Sequence, residues 1–169
     1  MKKFFYIAAL LFTAAFSLSS CGGDDDGPKA TATATYTLTF SQDLIDACNV
    51  VIYYKAENGS NRFETPTGTW WSKTVTSDKF PAEFGVMYKF STKPIGELKK
   101  EKYDLTFDVN IAIKTSSGSA FSTPINIFDA KEVSKDKVES FINGYSGKST
   151  GYKVTIDGNP TPANNLKYE

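Results

Sequence analysis

From Thr33 to Phe40 the chain alternates hydroxyl-bearing and apolar side chains, with Tyr36, Leu38 and Phe40 on one parity and threonines on the other. A repeat of two places successive side chains on opposite faces of a pleated strand, so this segment predicts a half-buried strand. The same repeat returns in Leu105, Phe107, Val109, Ile111 and Ile113, and predicts a long central strand from Tyr103 to Thr115 that anchors the core. Further strands are predicted at Asn49 to Lys55, Arg62 to Thr65, Thr69 to Ser77, Gly85 to Thr92, Ala120 to Phe128 and Tyr152 to Ile156, each rich in aromatic or β-branched residues. Asn58-Gly59 marks a hairpin after the second strand, because both residues tolerate positive φ. Pro124 has no N–H for a ladder and should lie at an edge or bulge.

One segment breaks the period of two. Val138, Phe141 and Ile142 fall on one helical face, with Ser134 as N-cap and Gly144 at the C-terminus, predicting one short helix near the end of the chain. Seven or eight short strands with little helix imply an all-β fold, an antiparallel β-sandwich of two packed sheets. The expected boundaries are 33–158 for this single domain and 159–169 for a C-terminal tail.

The first residues follow a different pattern. Lys2 and Lys3 precede an apolar run from Phe4 to Leu18, too short to span a bilayer, and small polar residues follow. This predicts a secretory signal over residues 1–20. Leu18-Ser19-Ser20-Cys21 resembles the lipobox of bacterial lipoproteins, which implies acylation of the Cys21 thiol and cleavage before it. Residues 21–32, beginning Cys-Gly-Gly-Asp-Asp-Asp, read as a solvated tether, since glycine and repelling carboxylates keep it extended. The aspartates lack the spacing and turn glycine of a calcium loop. This acidic opening is similar to that of Bacteroidota-type surface lipoproteins, which implies an outer-membrane, lipid-anchored protein facing the cell exterior.

Composition narrows the chemistry. Lys+Arg and Asp+Glu are both 19; losing two lysines with the signal leaves 17 basic against 19 acidic residues, a mature net charge of −2. With lysines interspersed among acids, no basic stripe for nucleic acid is expected. The chain has no histidine, which excludes Ser-His-Asp and Cys-His constellations and makes a zinc site improbable. Once lipid occupies Cys21, Cys48 has no partner for a disulfide and is expected as a small buried residue in a strand. Gly147-Lys148-Ser149-Thr150 shares only the last letters of a phosphate-binding loop, and lies between a helix and a strand rather than the reverse. Asp104 and Asp108 share one strand face, read as the solvated one. No catalytic residue, metal or cofactor is expected beyond acyl lipid on Cys21.

Leu98-Lys99-Lys100-Glu101-Lys102-Tyr103-Asp104-Leu105 resembles the E-to-F corner of immunoglobulin-like and fibronectin III-like domains, where a tyrosine bonds back across the turn. The resemblance implies that structural role for Tyr103, and places Trp70-Trp71 near strand C. Adjacent strand residues face opposite ways, so one of these tryptophans is expected inside and the other outside. With Tyr53, Tyr54 and Tyr88 they form the candidate ligand-binding set, since flat rings stack on the apolar faces of sugars and exposed apolar area marks contact sites. The leading expectation is a non-catalytic binding module for a glycan or an envelope protein. A structural subunit of an envelope complex comes next, and a carboxylate-dependent hydrolase last.

Overall fold

The alternation that opens at Thr33 forms the first strand of a two-sheet sandwich in a computed structural model, which describes residues 29–156, 160–163 and 165–168. The signal segment, Cys21, the tether up to residue 28 and residues 157–159 lie outside the described residues.

The elements run β1 (Ala32–Phe40), α1 (Gln42–Ala47), β2 (Cys48–Lys55), β3 (Asn61–Glu64), β4 (Trp70–Ser77), β5 (Ala82–Thr92), β6 (Lys102–Thr115), β7 (Ala120–Ser134), α2 (Val138–Asn143), β8 (Ser149–Val154) and β9 (Thr161–Pro162). One sheet has the order β4-β1-β6-β7 and the other β3-β2-β5-β8-β9, with every pairing antiparallel. The described strands thus number nine, one more than expected, because the tail adds the two-residue β9. β1 and β2 lie in opposite sheets, whereas the first two strands of an immunoglobulin domain share one. β4 and β6 flank β1, so the strand carrying the tryptophan pair does not adjoin the strand that carries Tyr103.

The apolar parities face each other across the sandwich. Tyr36, Leu38, Leu105, Phe107, Ile111 and Ile113 meet Ile52, Phe84, Val86 and Tyr88, all fully or almost fully buried. Phe107 is the hub, stacked on Phe40 at 5.0 Å and edge-on to Tyr88 at 4.6 Å. The buried Tyr36 hydroxyl donates to the Lys55 carbonyl at 2.7 Å and accepts from the Gly85 N–H at 3.2 Å, so a polar atom in the core bridges the two sheets. Pro124 lies on β7, an edge strand bent by two register shifts against β6.

Several boundaries differ from the pattern-based expectation. α1 is an additional helix, capped by the Ser41 hydroxyl accepting from the Leu44 N–H at 3.2 Å and burying Leu44 and Ala47. Its single turn and a half is too short for a helical period to register. β7 continues to Ser134, and a 3₁₀ turn over Lys135–Lys137 intervenes before α2, so Ser134 ends a strand and does not cap the helix. Val138 and Ile142 are buried as the helical spacing requires.

Described residues of the tail pack against the second sheet. β9 pairs with β8, and Leu166 and Tyr168 pack over Gly85 and Gly151, which face each other across β5 and β8. A Cβ at Gly151 would sit 2.5 Å from Leu166 Cδ1, so the two glycines form a slot that the tail fills. Tyr168 also covers Lys55, whose ammonium lies 5.7 Å from the ring centroid.

Candidate binding face

The tryptophan pair divides as the pleat requires. Trp70 is 59% exposed and Trp71 only 7%. Trp71 turns into the sandwich, its indole N–H donating to Glu64 Oε2 at 2.9 Å and its ring 5.4 Å from Tyr54. Glu64 also accepts from the Tyr54 hydroxyl at 2.8 Å and from the Lys73 ammonium at 2.6 Å. Lys73 foremost, against the cost of partial burial and with Trp71 and Tyr54 adding to it, holds the Glu64 carboxyl below its ordinary range.

The five proposed ring residues do not make one platform. Tyr54 and Tyr88 carry the inward parity of β2 and β5 and are buried with Trp71. Burial pushes the Tyr88 hydroxyl up to about 12. Tyr53 is on the outer face of the second sheet, opposite Phe63 at 5.9 Å, with the Lys89 ammonium 5.0 Å from its centroid. Phe63, 69% exposed, was not singled out from the sequence because its four-residue edge strand is too short to show an alternation. Trp70 therefore stands apart from the other four, on the outer face of the first sheet.

That outer face is a polar grid. Register aligns Trp70, Thr39, Asp108 and Asn126 in one row across β4, β1, β6 and β7. Below it run Ser72, Thr37, Asn110 and Pro124, then Thr74, Thr35, Ala112 and Ser122, then Thr76, Thr33, Lys114 and Ala120. Hydroxyls pair across strands, Thr35 with Thr74 and Thr33 with Thr76, each at 3.0 Å. Ser122 donates to Asn110 Oδ1 at 3.0 Å, and Asn126 donates to Asp108 Oδ1 at 2.7 Å. Asp104, two pleat repeats farther along β6, accepts the Glu132 N–H at 2.9 Å, so the two aspartates serve separate strand contacts.

The grid has a direction relative to the start of β1. Thr31 and Ser116 exchange bonds of 2.8 and 2.9 Å beside the β6–β7 turn, and the chain enters β1 there. Trp70 pairs with Thr39, seven residues along β1 from Ala32, about 24 Å away at the rise of a strand.

Other chemistry is spent on structure. The Tyr103 hydroxyl is buried and accepts the Lys100 N–H at 2.9 Å, bonding back across the crossover from β5 to β6. Cys48 is buried at the start of β2, and burial pushes its thiol up to about 11 in spite of Thr92 and Lys93. A depression of about 570 Å³ is lined by Asp46, Lys93, Glu97, Lys99, Lys100 and Tyr103. There Lys93 donates to the Ile45 and Asp46 carbonyls at the end of α1, and Lys100 pairs with Asp43. Among the described residues no three Cys, Asp or Glu side chains gather as metal ligands, and no helix is long and apolar enough to cross a membrane.

No protein-family model, curated protein or solved structure matches the chain.

Proposed function

We propose that this protein is a non-catalytic glycan-binding module, lipid-anchored through Cys21 to the outer membrane and facing the cell exterior. The observation that carries the reading is Trp70, an indole 59% exposed in a row completed by a hydroxyl, a carboxylate and an amide, Thr39, Asp108 and Asn126. A sugar ring offers an apolar face bordered by hydroxyls, and the complementary protein surface is a flat ring bordered by short polar side chains. Leaving an indole in water has a cost that stacking removes. The placement also favours capture, because Trp70 lies at the end of β1 remote from Ala32, where that strand begins.

Titration of the soluble body with a panel of polysaccharides, read by tryptophan emission, tests the binding. Loss of the response in Trp70→Ala supports it, and an unchanged response contradicts it. Anchoring is tested separately in cells: mass spectrometry of the mature N-terminus should find acylated Cys21, and Cys21→Ala should release the protein from membranes. External protease should reach the anchored form on intact cells.

A second reading, a subunit of an envelope assembly, is favoured by Phe63, which projects from the edge strand β3 beside Tyr53. An edge strand with an exposed ring is a docking surface for another chain. This reading expects Phe63→Ser to weaken recovery of a cross-linked partner while glycan binding is retained.

A further inference from the structure

We infer that the ligand is a neutral, linear glycan lying across the strands along the row Trp70, Thr39, Asp108 and Asn126, with Asp108 and Asn126 determining specificity at its far end. The inference rests on the binding reading above and extends it to the class and course of the ligand.

Unused hydrogen-bonding capacity sets the course. In the lower rows most polar groups bind one another or the backbone, Thr35 with Thr74, Thr33 with Thr76, Ser122 with Asn110, and Ser72 to the Tyr36 carbonyl at 2.8 Å, and the half-buried Thr37 hydroxyl is an exception. In the first row the Thr39 hydroxyl is exposed and has no partner among the described residues. Asp108 uses Oδ1 for Asn126 and leaves Oδ2 open, and Asn126 retains its carbonyl and a second N–H. These open groups continue from the one exposed indole of the face in a straight line. From β4 to β7 the line crosses three strand spacings, about 14 Å, on the order of an extended trisaccharide.

Charge sets the class. Asp108 is the only acidic side chain in the row, and Asp129, one step beyond it on the same outer face and opposite Thr106, is paired with Lys131 at 2.9 Å. A polyuronate would bring a carboxylate against Asp108, which has no ion-pair partner among the described residues, whereas a neutral sugar can donate hydroxyls to it. Asn126 fixes the Asp108 carboxylate by its 2.7 Å bond, and together they present adjacent acceptors and a donor, the complement of vicinal hydroxyls.

Isothermal titration of the soluble body with di-, tri- and tetrasaccharides of β-1,4-glucan, β-1,4-mannan and β-1,4-xylan, and with oligogalacturonate, tests the inference. Affinity for one neutral series should rise about tenfold from di- to trisaccharide and then level, and should exceed that for the uronate. Asp108→Ala and Asn126→Ala should each weaken the trisaccharide about five- to tenfold and leave the disaccharide unchanged, while Ser122→Ala, outside the row, behaves like the parent. Melting curves verify that each variant is folded. If Trp70→Ala abolishes binding but the Asp108 and Asn126 variants bind every length normally, or if the uronate binds best, this inference falls and the binding reading stands. If Trp70→Ala binds like the parent, or no saccharide binds, the binding reading itself falls.

Discussion

The Trp71 indole N–H on β4 meets the Glu64 carboxylate on β3 at 2.9 Å, joining edge strands of opposite sheets. Tyr54 and Lys73 bond to the same carboxylate, so one acid closes that side of the sandwich. The inward tryptophan is thereby committed to structure, and its neighbour Trp70 is left for contact.

Removing the carboxylate leaves the Trp71 N–H and the Tyr54 hydroxyl without an acceptor. Glu64→Ala should cost about 1–3 kcal/mol in urea unfolding. Because the folded carboxyl titrates below its ordinary 4.5, its stabilisation is present above that pH and is lost as pH falls through the folded value. Melting temperature against pH should fall in that acidic range, and Glu64→Gln, which keeps an acceptor without the charge, should flatten this part of the curve. An identical acid limb in the variant would contradict the role.

The tail should behave as part of the core. Gly151→Ala brings a Cβ within 2.5 Å of Leu166 Cδ1 and 2.8 Å of the Phe84 carbonyl, and should destabilise by about 1–3 kcal/mol. Leu166→Ala should also destabilise, yet the double variant should lose less than the two losses together, because the truncated side chain leaves room for the new methyl. Strict additivity in denaturant titrations would show that Leu166 does not occupy the slot.

Cys48 should be inert in the folded body. With its thiol pushed up to about 11 by burial, little thiolate is present at pH 8, and the side chain is covered. A disulfide reagent should label it only after denaturant is added. Stoichiometric labelling of the native protein within minutes would contradict its placement.

The strands were legible where one face is buried and the other wet. β1 and β6 show this best, and Leu105, Phe107, Val109, Ile111 and Ile113 all reach the core as their alternation requires. α1 was not legible because six residues give no helical period, although Ser41 and Asp43 are the cap and first-turn acid of such a helix. The docking of the tail depends on Gly85 and Gly151 facing each other, a matter of register that no local pattern specifies. For the candidate site, the pleat required one tryptophan out and one in, but not which. Trp70 is the outer residue because it aligns with Thr39, while Trp71 aligns with the buried Leu38. Tyr54 and Tyr88 resembled surface rings in the sequence only because the parity of β2 and β5 had not been tied to a core.

The most direct test of the account is tryptophan emission of the soluble body during titration with neutral glycans, in the parent, in Trp70→Phe and in Trp71→Phe. The account predicts that acrylamide quenches Trp70 readily and Trp71 weakly, and that a bound glycan shifts emission and protects it from quenching in the parent and in Trp71→Phe but not in Trp70→Phe. A glycan response that survives in Trp70→Phe, or the absence of any response in the parent, would contradict it.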